Sequence, residues 1–81
     1  MEKRIAVMGI IVDNISETGR INALLHDFRE YVVGRMGIPY APKDIAIISV
    51  VIDAPQDIIS ALSGKLGMID GVSVKTVYSK K

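Results

Sequence analysis

Ile5-Ala6-Val7-Met8-Gly9-Ile10-Ile11-Val12 and Ile45-Ala46-Ile47-Ile48-Ser49-Val50-Val51-Ile52 are strand-like and apolar on both faces. A strand sends successive side chains to opposite sides of its sheet. A half-exposed strand therefore alternates apolar and polar residues, and these two runs do not. Both of their faces need cover, and 81 residues provide little material to cover both. A chain of this size buries only about 60% of the surface its unfolded form exposes.

Working outward, the first strand spans about Arg4 to Val12. The polar stretch Asp13–Gly19 follows, where Asn14 with Glu17, or Ser16, can cap a helix start. Ile21, Leu24, Leu25 and Phe28 then recur at i, i+3, i+4 and i+7, one face of a helix, with Arg20, Asn22, Asp27 and Arg29 on other faces. Tyr31–Ile38 reads as an edge strand holding Gly34 and Gly37, ended or blunted by Pro39. Tyr40–Asp44 is a turn, and the second doubly apolar run closes at Asp53. Ala54-Pro55 opens a second helix with the stripe Ile58, Ile59, Leu62 and Leu66, and Gly67 stops it. After the turn Met68–Gly71, Val72, Val74, Thr76 and Tyr78 alternate with Ser73, Lys75, Val77 and Ser79 in a last strand.

The order strand, helix, strand, strand, helix, strand predicts an α+β fold of the ferredoxin-like βαββαβ type. Right-handed crossovers put both helices on one face of a four-stranded antiparallel sheet. The two doubly apolar runs then lie mid-sheet, where both faces need cover. One set of their side chains is Ile5, Val7, Ile11, Ile47 and Val51; the other is Met8, Ile10, Val12, Ile48, Val50 and Ile52. Whichever set faces away from the helices is left bare. A homo-oligomer, through the open sheet face or through edge strands, is the expected remedy. Residues 1–81 are read as a single domain.

Composition excludes several classes. Ten Lys+Arg against nine Asp+Glu give a net charge of +1, no strong footprint for nucleic acid. The basic tail Lys80-Lys81, with Lys75 nearby, reads as a solvated end. The absence of cysteine removes disulfides, thiolate metal sites and cysteine nucleophiles. It is compatible with the cytoplasm, the expected location. The apolar run after Met1-Glu2-Lys3-Arg4 lacks a signal-peptide cleavage site and is far shorter than the roughly 20 residues that cross a bilayer. His26 alone cannot hold a transition metal, and no metal or other cofactor is expected. No serine has a nucleophile-elbow context, the acids sit at turns and helix ends as caps, and Gly64-Lys65-Leu66-Gly67 lacks the P-loop spacing.

The candidate contact is Gly34-Arg35-Met36-Gly37-Ile38-Pro39-Tyr40. Gly34, Arg35, Met36, Gly37 and Tyr40 could form an anion or partner contact, with Tyr40 beside Arg35; the plain alternative is a bulged, proline-blunted edge at a subunit interface. The turn Asp13–Arg20 precedes a helix N-terminus able to attract anions, but Asp13 and Glu17 oppose one and capping accounts for the turn better.

Arg4–Val12, Gly34–Tyr40, Ser60–Gly67 and Gly71–Lys75 together resemble a family of small bacterial proteins described as regulators of the iron-only hydrogenase system. The Gly-Arg-Met-Gly-Ile-Pro-Tyr stretch is the most specific part of the likeness. The resemblance implies an ACT-like module, similar in fold to the C-terminal domain of the nickel-responsive repressor, oligomeric and linked to hydrogenase expression or maturation, with a hydrogenase-system protein as partner. Residues 31–52 contain no histidine or cysteine, so the nickel ligands of that repressor have no counterpart. The domain is expected to fill the chain without a separate DNA-binding segment, and the turn Asp13–Ser16 lacks the glycine of amino-acid-binding ACT domains. The expected function is thus a non-enzymatic regulatory or partner-binding module. The alternative is a small enzyme resembling acylphosphatase, with Arg20 or Arg35 cradling phosphate and Asn14 orienting water; its glycine-rich phosphate loop is missing.

Overall fold

The computed structural model describes residues 2–80. Met1 and Lys81, the latter part of the expected basic tail, lie outside the described residues. The elements are β1 (Lys3–Val12), α1 (Thr18–Asp27), β2 (Val32–Tyr40), β3 (Ile45–Pro55), α2 (Gln56–Gly67) and β4 (Val72–Tyr78). The sheet order is β2-β3-β1-β4, and every neighbouring pair is antiparallel. This is the ferredoxin-like arrangement, with the doubly apolar β1 and β3 in the middle.

The register assigns the faces. Met8 lies opposite Val50, Ile10 opposite Ile48 and Ala6 opposite Ile52. These six are buried, together with Val12, Ala54, Ile21 and Leu25 of α1, and Ile59, Leu62 and Leu66 of α2. The even-numbered residues of β1 and β3 therefore form the helix-covered face. Ile58, expected in the apolar stripe of α2, packs at the margin of this core. From β4, Val72, Val74 and Tyr78 pack on the same side. Thr76 shares it, and its Oγ1 is buried without a hydrogen-bond partner.

Both ends of the layer are tied. At one, the Asn14 side chain accepts from the Ser16 amide (3.3 Å) and hydroxyl (2.6 Å), capping the 3-10 turn Ile15–Glu17 that leads into α1. The neighbouring Asp13 amide donates to the Gly71 carbonyl at 2.7 Å. Gly71 has φ +75, and a Cβ there would lie 2.9 Å from Asn14 Cβ, so this close approach requires glycine. At the other end, the Arg4 guanidinium lies 4.6 Å over the Tyr78 ring and donates to Gln56 Oε1 at 2.9 Å. Gln56 Nε2 donates to the Tyr78 hydroxyl at 2.8 Å. β1, α2 and β4 are joined there.

Two boundaries differ from the sequence reading, and a third agrees. Pro39 does not end β2, which continues to Tyr40; an outer strand tolerates a residue without an N–H where no ladder partner lies beyond it. Ala54-Pro55 does not open α2. Both residues pair with β1, opposite Arg4 and Lys3, and burial of Ala54 holds β3 extended, so the helix begins at Gln56. Gly67 closes α2 as the sequence predicts; the cap Met68 is right-handed (φ −82, ψ −11) and the left-handed turn falls at Gly71.

Candidate functional site

Two surfaces remain after the helices have covered what they can. The first is the bare sheet face. Its central strands present Ile5, Val7, Ile11, Ile47 and Val51, the set that would face away from the helices. Ile5, Val7 and Ile11 keep 43%, 41% and 44% of their surface exposed, against 0% for Met8, Ile10 and Val12. The flanking strands extend the patch. Register places Met36 opposite Ser49, Ile38 opposite Ile47, and Val77 opposite Val7, all on this side. Met36 and Val77 are the most open of these, at 61% and 69%. The centre of the face is small, with Gly9 opposite Ser49.

The second surface is on the helix side of β2. Every residue of β2 after Val32 is exposed, because the helices lie over β1, β3 and β4 and leave β2 projecting. A β-bulge between Val32 and Gly34 resets its register against β3. From there the strand alternates. Gly34, Met36, Ile38 and Tyr40 pair with Val51, Ser49, Ile47 and Ile45 and point to the bare face; Arg35, Gly37 and Pro39 pair with Val50, Ile48 and Ala46 and point towards α1.

This alternation divides the residues that the sequence grouped. Gly34, Met36 and Tyr40 belong to the apolar face, while Arg35 and Gly37 belong to the cleft beside α1. Tyr40 is not beside Arg35. Arg35 instead donates from Nη2 to Asn22 Oδ1 of α1 at 2.6 Å. On one side of that bond lies a cavity of about 300 Å³ bordered by His26, Arg29 and Val32; on the other, one of about 250 Å³ bordered by Thr18, Gly37, Pro39, Ala46 and Ile48.

Asn22, His26 and Arg29 were not singled out as a set from the sequence. The signal was partly present: Thr18, Asn22 and His26 recur every four residues on one stripe of α1, and Arg29 follows in the 3-10 turn after the helix. What local spacing does not reveal is that this stripe faces β2 across a cleft. The residues considered for phosphate chemistry have other partners. Asn14 caps a turn, Arg20 pairs with Glu17 at 3.1 Å, and Arg35 holds Asn22. Among the described residues, no group of three or more His, Asp or Glu is placed to hold a metal ion.

Residues 4–76 match the family model "TM1266-like: Iron-only hydrogenase system regulator, putative". The chain belongs to this family. It is similar to the solved structure of uncharacterized protein TM1266 from Thermotoga maritima, at 45% identity and a TM-score of 0.93, covering 98% of this chain and 100% of that one. Two more distant structures share the fold alone. One is a formyltetrahydrofolate deformylase from Pseudomonas putida KT2440 (14% identity, TM-score 0.65), of which 90% of this chain matches only 28%. The other is CPII, a nitrogen regulatory PII-like protein from Thiomonas intermedia K12 solved with ADP, AMP and bicarbonate (13% identity, TM-score 0.55, covering 98% and 99%). No curated protein matches the chain. No helix among the described residues is long and apolar enough to cross a membrane.

Proposed function

We propose that this chain is a non-enzymatic regulatory module of the iron-only hydrogenase system, acting in the cytoplasm as one ACT-like domain, and that its bare sheet face is where it joins a second copy of itself. One observation carries the second clause: a contiguous apolar face runs across all four strands with no helix over it. Soluble monomers rarely expose an apolar patch of more than a few hundred Å². Each of Ile5, Val7, Ile11, Met36, Ile38, Ile47 and Val77 has about 1 kcal/mol of burial still to gain. Over two protomers that is on the order of 10 kcal/mol. The cost of association is about 4–15 kcal/mol, so the dimer forms in a concentration-dependent way. Gly9 and Ser49 at the centre let two such sheets approach closely. Gly34, Met36 and Tyr40 serve this contact from the edge strand.

Light scattering on the eluting protein tests the association. The expected mass is at least twice that of the chain at about 100 µM, and Val7→Lys, which charges the middle of the face, returns it to a monomer with unchanged circular dichroism. A wild-type monomer at that concentration overturns the reading. The regulatory clause is tested separately: deleting the gene in a hydrogenase-carrying host should change hydrogenase transcript or activity, and no change in either would refute it.

A further inference from the structure

We propose that the cleft between α1 and the helix side of β2 binds a small amphiphilic oxyanion: a phosphate or carboxylate head group carried on a flat apolar body. This site lies on the opposite side of the sheet from the self-association surface and does not depend on it.

The head-group end is the cavity of about 300 Å³ bordered by Asn22, His26, Arg29 and Arg35. Asn22 and His26 come from one stripe of α1, Arg29 from the 3-10 turn that follows it and Arg35 from β2, so these walls converge on the same space. The arginines retain donors. Arg29 uses Nη1 on the His26 carbonyl at 2.9 Å, and Arg35 uses Nη2 on Asn22. A guanidinium has five N–H donors in a planar fork that suits carboxylate and phosphate. Neither arginine is paired with a carboxylate among the described residues, where the ion pair formed is Arg20 with Glu17. Asp27 and Glu30 border a neighbouring depression together with Arg29, beyond ion-pair distance of it. An oxyanion thus meets two guanidinium groups that have no carboxylate in direct contact, an imidazole and an amide.

The body end is the adjoining cavity of about 250 Å³, which shares Asn22 and Arg35 with the first. Its walls are the apolar Pro39, Ala46 and Ile48. At its floor sits Gly37, where an added Cβ would touch nothing within 4 Å. The strand itself does not need a glycine there; the missing side chain leaves a flat, open floor. Small-molecule sites combine an apolar lining with a few convergent polar groups in this manner. Thr18 and Asn22 of α1 supply the remaining wall.

The test uses the intact protein and two-dimensional NMR titration with three probes: phenyl phosphate, phenylacetate and inorganic phosphate. Phenyl phosphate and phenylacetate distinguish the two head groups; inorganic phosphate lacks the body. At least one aromatic probe is expected to saturate, shifting the amides of Asn22, His26 and Gly37, and inorganic phosphate to bind at least tenfold more weakly. Arg35→Gln should weaken the aromatic probe at least tenfold, while Arg20→Gln, which lies outside the cleft, should leave it unchanged. Gly37→Val raises the floor at a position where an added Cβ meets nothing within 4 Å, so it should abolish the preference for the aromatic probe and leave inorganic phosphate binding intact. The proposal is overturned if none of the probes gives saturable shifts up to 10 mM, if shifts map away from the cleft, or if both Arg35→Gln and Gly37→Val bind as the wild type does.

Discussion

Ile10 and Ile11 are neighbours in the chain, have the same side chain and are opposites in environment. Ile10 is fully buried beneath the helices, while Ile11 is nearly half exposed on the bare face. The same contrast holds for Met8 against Val7 and for Ile48 against Ile47. Both sides of β1 and β3 carry large aliphatic side chains, with Gly9, Ser49 and Asp53 interrupting the bare side, so hydrophobicity only biases which side becomes the core. What decided it is the supply of cover: two helices close one side and nothing in the described chain closes the other. Burial on the first side stabilises the fold, whereas the second side is left open.

That contrast can be broken most severely with one charge placed on either side. Ile10→Lys puts an unpaired ammonium among Val50, Leu62 and their neighbours, at a cost of several kcal/mol, and is expected to abolish the cooperative unfolding transition. Ile11→Lys places the same charge one residue later and is expected to leave a folded protein, with association lost. Equal damage from both would mean that the bare face is part of the folding core.

A smaller effect probes the clamp that closes the covered side. Gly71→Ala forces a Cβ to 2.9 Å from Asn14 Cβ in a left-handed conformation. It is expected to cost about 2 kcal/mol in denaturant unfolding, since the left-handed backbone alone costs roughly 1–2 kcal/mol for a residue with a Cβ. Association on the other face should be unaffected once the variant is folded. Full wild-type stability would show that the loops Asp13–Asn14 and Gly71 do not need to meet.

The smallest change should be favourable. Thr76→Val replaces a buried hydroxyl that has no partner with a methyl group of similar shape. It should raise stability by about 1 kcal/mol, because an unsatisfied buried polar group carries its desolvation cost without return. A lower melting temperature would mean that Oγ1 finds a partner in solution.

The layer order was legible because two doubly apolar runs fit only the middle of a sheet, and because the Ile21–Phe28 and Ile58–Leu66 stripes mark two helices. The choice of buried set was only faintly marked: six large side chains stand against five, with Gly9, Ser49 and Asp53 on the side of the five. Ala54-Pro55 misled because Pro suits a first helical turn; pairing with Arg4 and Lys3 across the sheet outweighed that preference. The stretch Gly34–Tyr40 was recognisable as unusual, and its division between two surfaces was not. Side-chain direction along β2 depends on pairing with β3 through the bulge, a long-range fact that local spacing does not carry. For the same reason Asn22 and Arg29 read locally as ordinary polar positions, and only the tertiary approach of β2 makes them border a cleft.

Val33 is the one slack residue of that outer strand, looped out where Val32 and Gly34 take successive partners. It sets the phase of everything after it. Slipping the strand by one place to absorb it would carry Arg35 and Gly37 to the greasy side and turn Met36 and Ile38 under the helix. Two unrelated chemistries are thus geared to a single kink, and losing the kink would exchange them in one step.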